Sequence, residues 1–165
     1  MSCPAKMLAS ALALGCLIAL AFNAPNIAPA FAHGDDDDDY AAGEPGDPSK
    51  PARSVEVTMT EGNGTMAYAP EEVDVSVGEQ IKFVIKNAGA LRHEFHLDSL
   101  QHNAHHKLEM EKNPEMVHDE PNAQSVDPGK QVEILWKFSK PGTFEFACLI
   151  PGHYQAGMHG KVVVK

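Results

Sequence analysis

The run Phe144-Glu145-Phe146-Ala147-Cys148-Leu149-Ile150-Pro151-Gly152-His153-Tyr154-Gln155-Ala156-Gly157-Met158 decides how this chain folds. Its first half alternates, with Phe144, Phe146 and Cys148 on one side, so it predicts a strand that buries one face. Its second half is broken by Pro151-Gly152 and Gly157 and predicts a loop. The parity of the strand aims Cys148 inward, at a strand end where the backbone is firmly held. A preorganised metal ligand belongs at such a place. The loop then adds an imidazole and a thioether in the spacing C-x4-H-x4-M.

Outward from this run the same period recurs. Val55 to Thr60 alternates, and so do Val73, Val75 and Val77. Ile81, Phe83 and Ile85 share one face, with Lys82 and Lys86 on the other. Glu94 to Leu97 reads as a short strand. Val132, Ile134, Trp136 and Phe138 form a bulky inward face, and Val162 to Val164 closes the chain. Val77-Gly78-Glu79, Asp127-Pro128-Gly129 and Pro141-Gly142 mark turns. About seven short strands with no helical majority predict an all-β, antiparallel β-sandwich. The sandwich domain is expected over 54–165.

One stretch breaks the pattern. Between Leu97 and Val126 the alternation stops, which marks 98–124 as a His/Met-rich, partly helical insertion. A helix is predicted from about Ala104 to Lys112, ended by Pro114. Insertions of this length tend to carry function or disorder.

The N-terminus predicts export. Lys6 precedes an apolar stretch from Leu8 to Phe22, and Ala30-Phe31-Ala32 fits a small-residue cleavage site, so 1–32 reads as a secretory signal. A lipid-modified Cys16 after Leu14-Gly15 fits less well, because apolar sequence continues beyond it. Residues 33–53, which include the carboxylate run Asp35 to Asp39, are rich in Asp, Gly, Pro and Ala and read as an acidic flexible leader. The formal net charge is −10, which makes nucleic acid a poor partner. No membrane contact is expected after signal cleavage. Of the three cysteines, Cys3 and Cys16 leave with the signal. Cys148 then has no disulfide partner, and a metal thiolate explains a lone thiol in an oxidising compartment.

A second imidazole, His93, lies at a predicted strand start after Asn87-Ala88-Gly89. Two His, one Cys and a weak axial Met make the ligand set of a type 1 blue-copper centre. The expected metal ligands are therefore His93, Cys148, His153 and Met158. Zinc fits less well, since Met is a poor zinc ligand.

Tyr68-Ala69-Pro70, Val77-Gly78-Glu79, Asn87-Ala88-Gly89, His93-Glu94-Phe95 and the Cys148, His153, Met158 loop together resemble a cupredoxin of the plastocyanin/azurin family. The resemblance covers about Met66 to Lys165, and the loop is similar to that of the rusticyanin and auracyanin branch. It implies a Greek-key sandwich with one electron carried at a mononuclear copper. Glu94 departs from the small polar residue common after the first His. The acidic leader and the His/Met insertion look like those of the CopI-type periplasmic copper-tolerance cupredoxins.

Within the insertion and its approach, His96, His102, His105, His106, Met110, Met116 and His118 are candidates for a second copper site. Imidazole suits cupric and thioether suits cuprous copper. The pair His102 and His106, joined by Met110, is the favoured subset. Two functions follow: a periplasmic, non-enzymatic copper-tolerance protein, or a soluble electron carrier between redox partners. The expected partners are copper ions, a redox partner protein and other periplasmic copper-handling proteins.

Overall fold

The structure, a computed structural model, describes residues 40–165. The signal segment and the Asp35 to Asp39 run lie outside these residues. In chain order the elements are β1 Glu44–Pro45, β2 Arg53–Gly62, β3 Thr65–Ala69, β4 Glu72–Val75, β5 Gln80–Asn87 and β6 His93–Asp98. The helix α1 Leu100–Lys112 follows, then β7 Asp119–Glu120, β8 Ala123–Val126, β9 Gln131–Lys137, β10 Gly142–Ala147 and β11 His159–Val164. They form two sheets, ordered β1-β9-β5-β2-β3 and β4-β11-β10-β6-β8-β7. The chain crosses between the sheets repeatedly, and the inward faces meet as a sandwich.

The core is the set of alternating residues read from the sequence. Val57, Met59, Ile81, Phe83, Ile85 and Trp136 from one sheet face Phe95, Phe146, Val162 and Val164 from the other. Phe95 and Phe146 stack at 5.0 Å, and Tyr68 meets both edge-on. Cys148 and Met158 belong to the same fully buried cluster, as the parity of β10 required.

Three features correct the sequence expectation. The sandwich is mixed rather than purely antiparallel, because β2 pairs parallel with β5 and β4 with β11. Alternation marks a strand but carries no sign of its partner's direction. A hairpin was also missed: β2 and β3 join through Asn63 and Gly64, both at positive φ. An Asn-Gly pair between strands is a strong hairpin signal.

The third correction concerns the 33–53 leader. From Tyr40 onward it is part of the fold. β1 pairs with β9, Ala42 is fully buried, and the Tyr40 ring meets Trp136 edge-on at 5.0 Å. The docking needs Gly43, where a Cβ would lie 2.1 Å from the Lys137 carbonyl oxygen. A low average hydrophobicity hid one aromatic anchor.

The insertion packs on the outer face of the second sheet. Helix α1 starts at Leu100 rather than near Ala104, because Ser99 caps it by accepting from the His102 amide at 3.1 Å. Asn113 and Pro114 end it. Its buried residues are Asn103 and Met110, and Met110 packs with Ala147 and Leu149 on the back of the strand that carries Cys148. This cover explains why β10 is buried on both faces.

Candidate metal centre

Three elements deliver the site. β6 starts at His93, the end of β10 leads into Cys148, and the loop before β11 carries His153 and Met158. Asn87 shapes the approach to His93. Its side-chain amide donates to the carbonyls of Leu91 and Val126 at 2.7 and 2.8 Å, and its oxygen accepts from the Gly89 amide at 2.9 Å. The ligand loop is closed by its own backbone. The His153 amide donates to the Ile150 carbonyl, the Met158 amide to the His153 carbonyl, and the Cys148 amide to the Met158 carbonyl. Gly157 sits at φ +103, a conformation that side chains rarely adopt, with the Met66 carbonyl beside it. Tyr154 anchors the loop's flank by donating to Glu145 at 2.9 Å.

The donor atoms converge. The Nδ1 atoms of His93 and His153 are 3.2 Å apart, and Cys148 Sγ lies 3.3 Å from His153 Nδ1. Among the described residues, His93, Cys148 and His153 form a group that could hold a metal ion, with their ligand atoms all within 4.8 Å. Bonds of about 2 Å to one ion at near-tetrahedral angles place two nitrogens about 3.3 Å apart, so the spacing fits. Met158 is fully buried at the far end of the same loop. His159 turns aside and stacks on Tyr154 at 4.7 Å.

The surroundings select the ligand state. Burial holds the imidazoles of His93 and His153 below their usual range, which keeps them neutral. Burial pushes the Cys148 thiol up to about 12, so it keeps its proton until a cation displaces it. The Glu94 amide donates to Cys148 Sγ at 3.3 Å and orients the sulfur. The Glu94 side chain is itself buried, with Oε2 lacking a partner among the described residues, and burial lifts its carboxyl to about 7.

Sequence reasoning missed Glu61. Its Oε1 accepts from the amides of Ala90 and Leu91 at 2.8 and 2.7 Å and lies 3.1 Å from His93 Nε2. The Leu91 amide, first among these partners, holds the carboxyl below its usual range. No local pattern marks this residue, because β2 and the His93 loop meet only in the folded chain.

The insertion divides its candidates. His96, His106, His118 and Met110 come together, while Met116 packs beside them against Met110, Ala147 and Leu149. The favoured trio of His102, His106 and Met110 is not assembled. His102 is mostly exposed and its ring reaches Asp98 at 3.0 Å, and His105 faces outward toward Glu109. The reason is helical phase. Asn103 and Met110 set the buried stripe, and His106 lies within it, whereas His102 falls at its edge and His105 on the far side.

This fold and donor set define a class. Residues 55–165 match the family of copper binding proteins of the plastocyanin/azurin type, and the chain belongs to that family. It is 46% identical over 138 residues to the copper-resistant cuproprotein CopI of Rubrivivax gelatinosus, covering 84% of this chain and 80% of that one. It is 38% identical over 154 residues to the protein of that name from Pseudomonas aeruginosa, covering 76% and 83%. Among solved structures it resembles auracyanin B, with TM-score 0.59 at 21% identity over 76% of this chain and 98% of that one. The family binds copper, and the group of His93, Cys148 and His153 suits it. Among the described residues, no helix is long and apolar enough to cross a membrane.

Proposed function

We propose that the chain is an exported, periplasmic copper-tolerance protein that holds one copper ion at His93, Cys148, His153 and Met158. The observation that carries this reading is the convergence of three donors, with His153 Nδ1 3.2 Å from His93 Nδ1 and 3.3 Å from the buried thiol of Cys148, all within 4.8 Å of one another. The likeness to proteins named copper-resistant, at 46% and 38% identity, supports the biological role. The predicted signal segment supports export.

Bound there, copper would supply one-electron exchange between its cuprous and cupric states. The protein's part is to hold the donors still. Glu61 orients His93, the Glu94 amide orients Cys148, and the closed loop fixes His153 and Met158. Donors that do not move between oxidation states keep reorganisation small. Burial excludes water from the thiol. The role is to hold copper and exchange its electron, and the likeness to proteins named cuproproteins supports a non-enzymatic reading.

Copper titration of the purified chain tests it, with metal count and visible spectrum read together. Cupric copper should produce intense colour from thiolate-to-copper charge transfer, and Cys148→Ala should abolish it. A colourless cupric wild type would refute the site. Deleting the gene should make the host copper-sensitive; unchanged tolerance would leave an electron carrier without a resistance role.

A further inference from the structure

We propose that Tyr154, granted the copper reading of His93, Cys148, His153 and Met158, is a positioning residue that braces the loop from His153 to Met158 and thereby tunes the reduction potential. Tyr154 follows His153 directly in the chain, and its phenol donates to Glu145 Oε1 at 2.9 Å. Glu145 lies on β10, the strand that leads into Cys148. The same ring stacks on His159 at 4.7 Å, and His159 opens β11 directly after Met158. One side chain therefore joins the neighbour of His153 to the neighbour of Met158 and to the strand that ends at Cys148.

The anchor is itself fixed. Glu145 is buried, and a buried carboxylate needs hydrogen bonds to both oxygens. Its Oε2 accepts from Asn103 Nδ2 at 3.0 Å, and the same amide reaches the Glu145 carbonyl at 3.3 Å. With one oxygen held by Asn103, the other is aimed at the phenol. Lys107 Nζ lies over the Tyr154 ring, 4.5 Å from its centroid, which adds a cation–π attraction. Within the loop, the Gly157 amide donates to the Tyr154 carbonyl at 3.0 Å and the Met158 amide to the His153 carbonyl at 3.1 Å. These backbone bonds set the shape of the loop, and the Tyr154 side chain fixes that shape against the sheet. A weak axial thioether does not hold its own place, so the distance at which it meets copper is imposed by the protein.

Tyr154→Phe tests the brace, because it removes the hydroxyl and leaves a ring to stack and pack. The variant should still bind cupric copper with intense colour, which shows that it is folded. Its reduction potential should fall, since donors free to yield move toward the tetragonal arrangement that cupric copper favours. In the metal-free chain the Gly157 and Met158 amides should lose roughly tenfold in hydrogen-exchange protection, the loss of one hydrogen bond to a buried carboxylate. A residue that only stabilised the fold would lower the unfolding midpoint and leave the potential in place. A wild-type potential in the variant, or unchanged protection, would overturn the assignment. A colourless cupric wild type would refute the copper centre, while protection in the metal-free chain still decides the brace.

Discussion

Glu61 Oε1 stands 3.1 Å from His93 Nε2 while accepting two backbone amides from the loop that precedes this histidine. One carboxylate therefore fixes both the ring and the loop that carries it. With Nε2 donating to Glu61, the Nδ1 lone pair turns toward Cys148 and His153. Gly89 belongs to the same device, since a Cβ there would meet the Glu61 side chain at 2.3 Å.

Removing that carboxylate should weaken metal binding without abolishing it. Glu61→Ala should lower copper affinity by roughly 10 to 100-fold, the usual cost of losing the partner that orients a ligand histidine. Glu61→Gln, which can still accept from the loop amides, should lose less. Chelator competition measures both, and equal affinity in all three proteins would contradict the role.

The axial ligand should tune potential rather than colour. Met158→Gln should keep the thiolate charge-transfer band and lower the reduction potential, because a harder oxygen donor favours the cupric ion. Voltammetry alongside the visible spectrum reads both at once. A potential equal to or above that of wild type would remove Met158 from the site.

Asn87 should matter for stability. Its side chain satisfies the Leu91 and Val126 carbonyls and the Gly89 amide inside the fold. Asn87→Ala leaves these groups unpaired, at a cost of about 2 to 4 kcal/mol. Urea unfolding of the metal-free protein gives the number, and a loss below about 0.5 kcal/mol would show that water replaces the amide.

Glu94 predicts a pH effect on the metal-free protein. Burial raises its folded pKa to about 7 from an ordinary 4.5, so the folded chain holds this proton more tightly than the unfolded one. The contribution is complete below about pH 4.5 and is lost as pH rises through about 7, on the order of 3 kcal/mol in total. Glu94→Gln removes that fall. Urea midpoints at pH 5 and pH 8 should therefore drop more in wild type than in the variant, and parallel behaviour would exclude Glu94 as the cause.

Much of this architecture could be read along the chain. The period of two identified β5, β9 and β10 and named inward residues in each, because burial of a sheet face is a local pattern, whereas β6 reads only as a short strand from Glu94 to Leu97. The parity of Phe144, Phe146 and Cys148 placed the thiol inward before any contact was seen, and Pro114 located the end of α1. Composition read Tyr40 as part of a flexible leader, since averaging over acidic and small residues conceals one ring that finds Trp136.

By itself the sequence determined the sandwich class, the candidate donor set and the family, because these rest on residue type at fixed local spacing. The tertiary structure alone decided strand direction, the Glu61 orienting contact and the choice among the insertion's histidines. Those are long-range outcomes. Glu61 meets His93 across 32 positions, and His106 meets His118 only after the helix has fixed its phase against Ala147 and Leu149. Local spacing supplies candidate ligands; which of them share one point in space follows from how the elements pack.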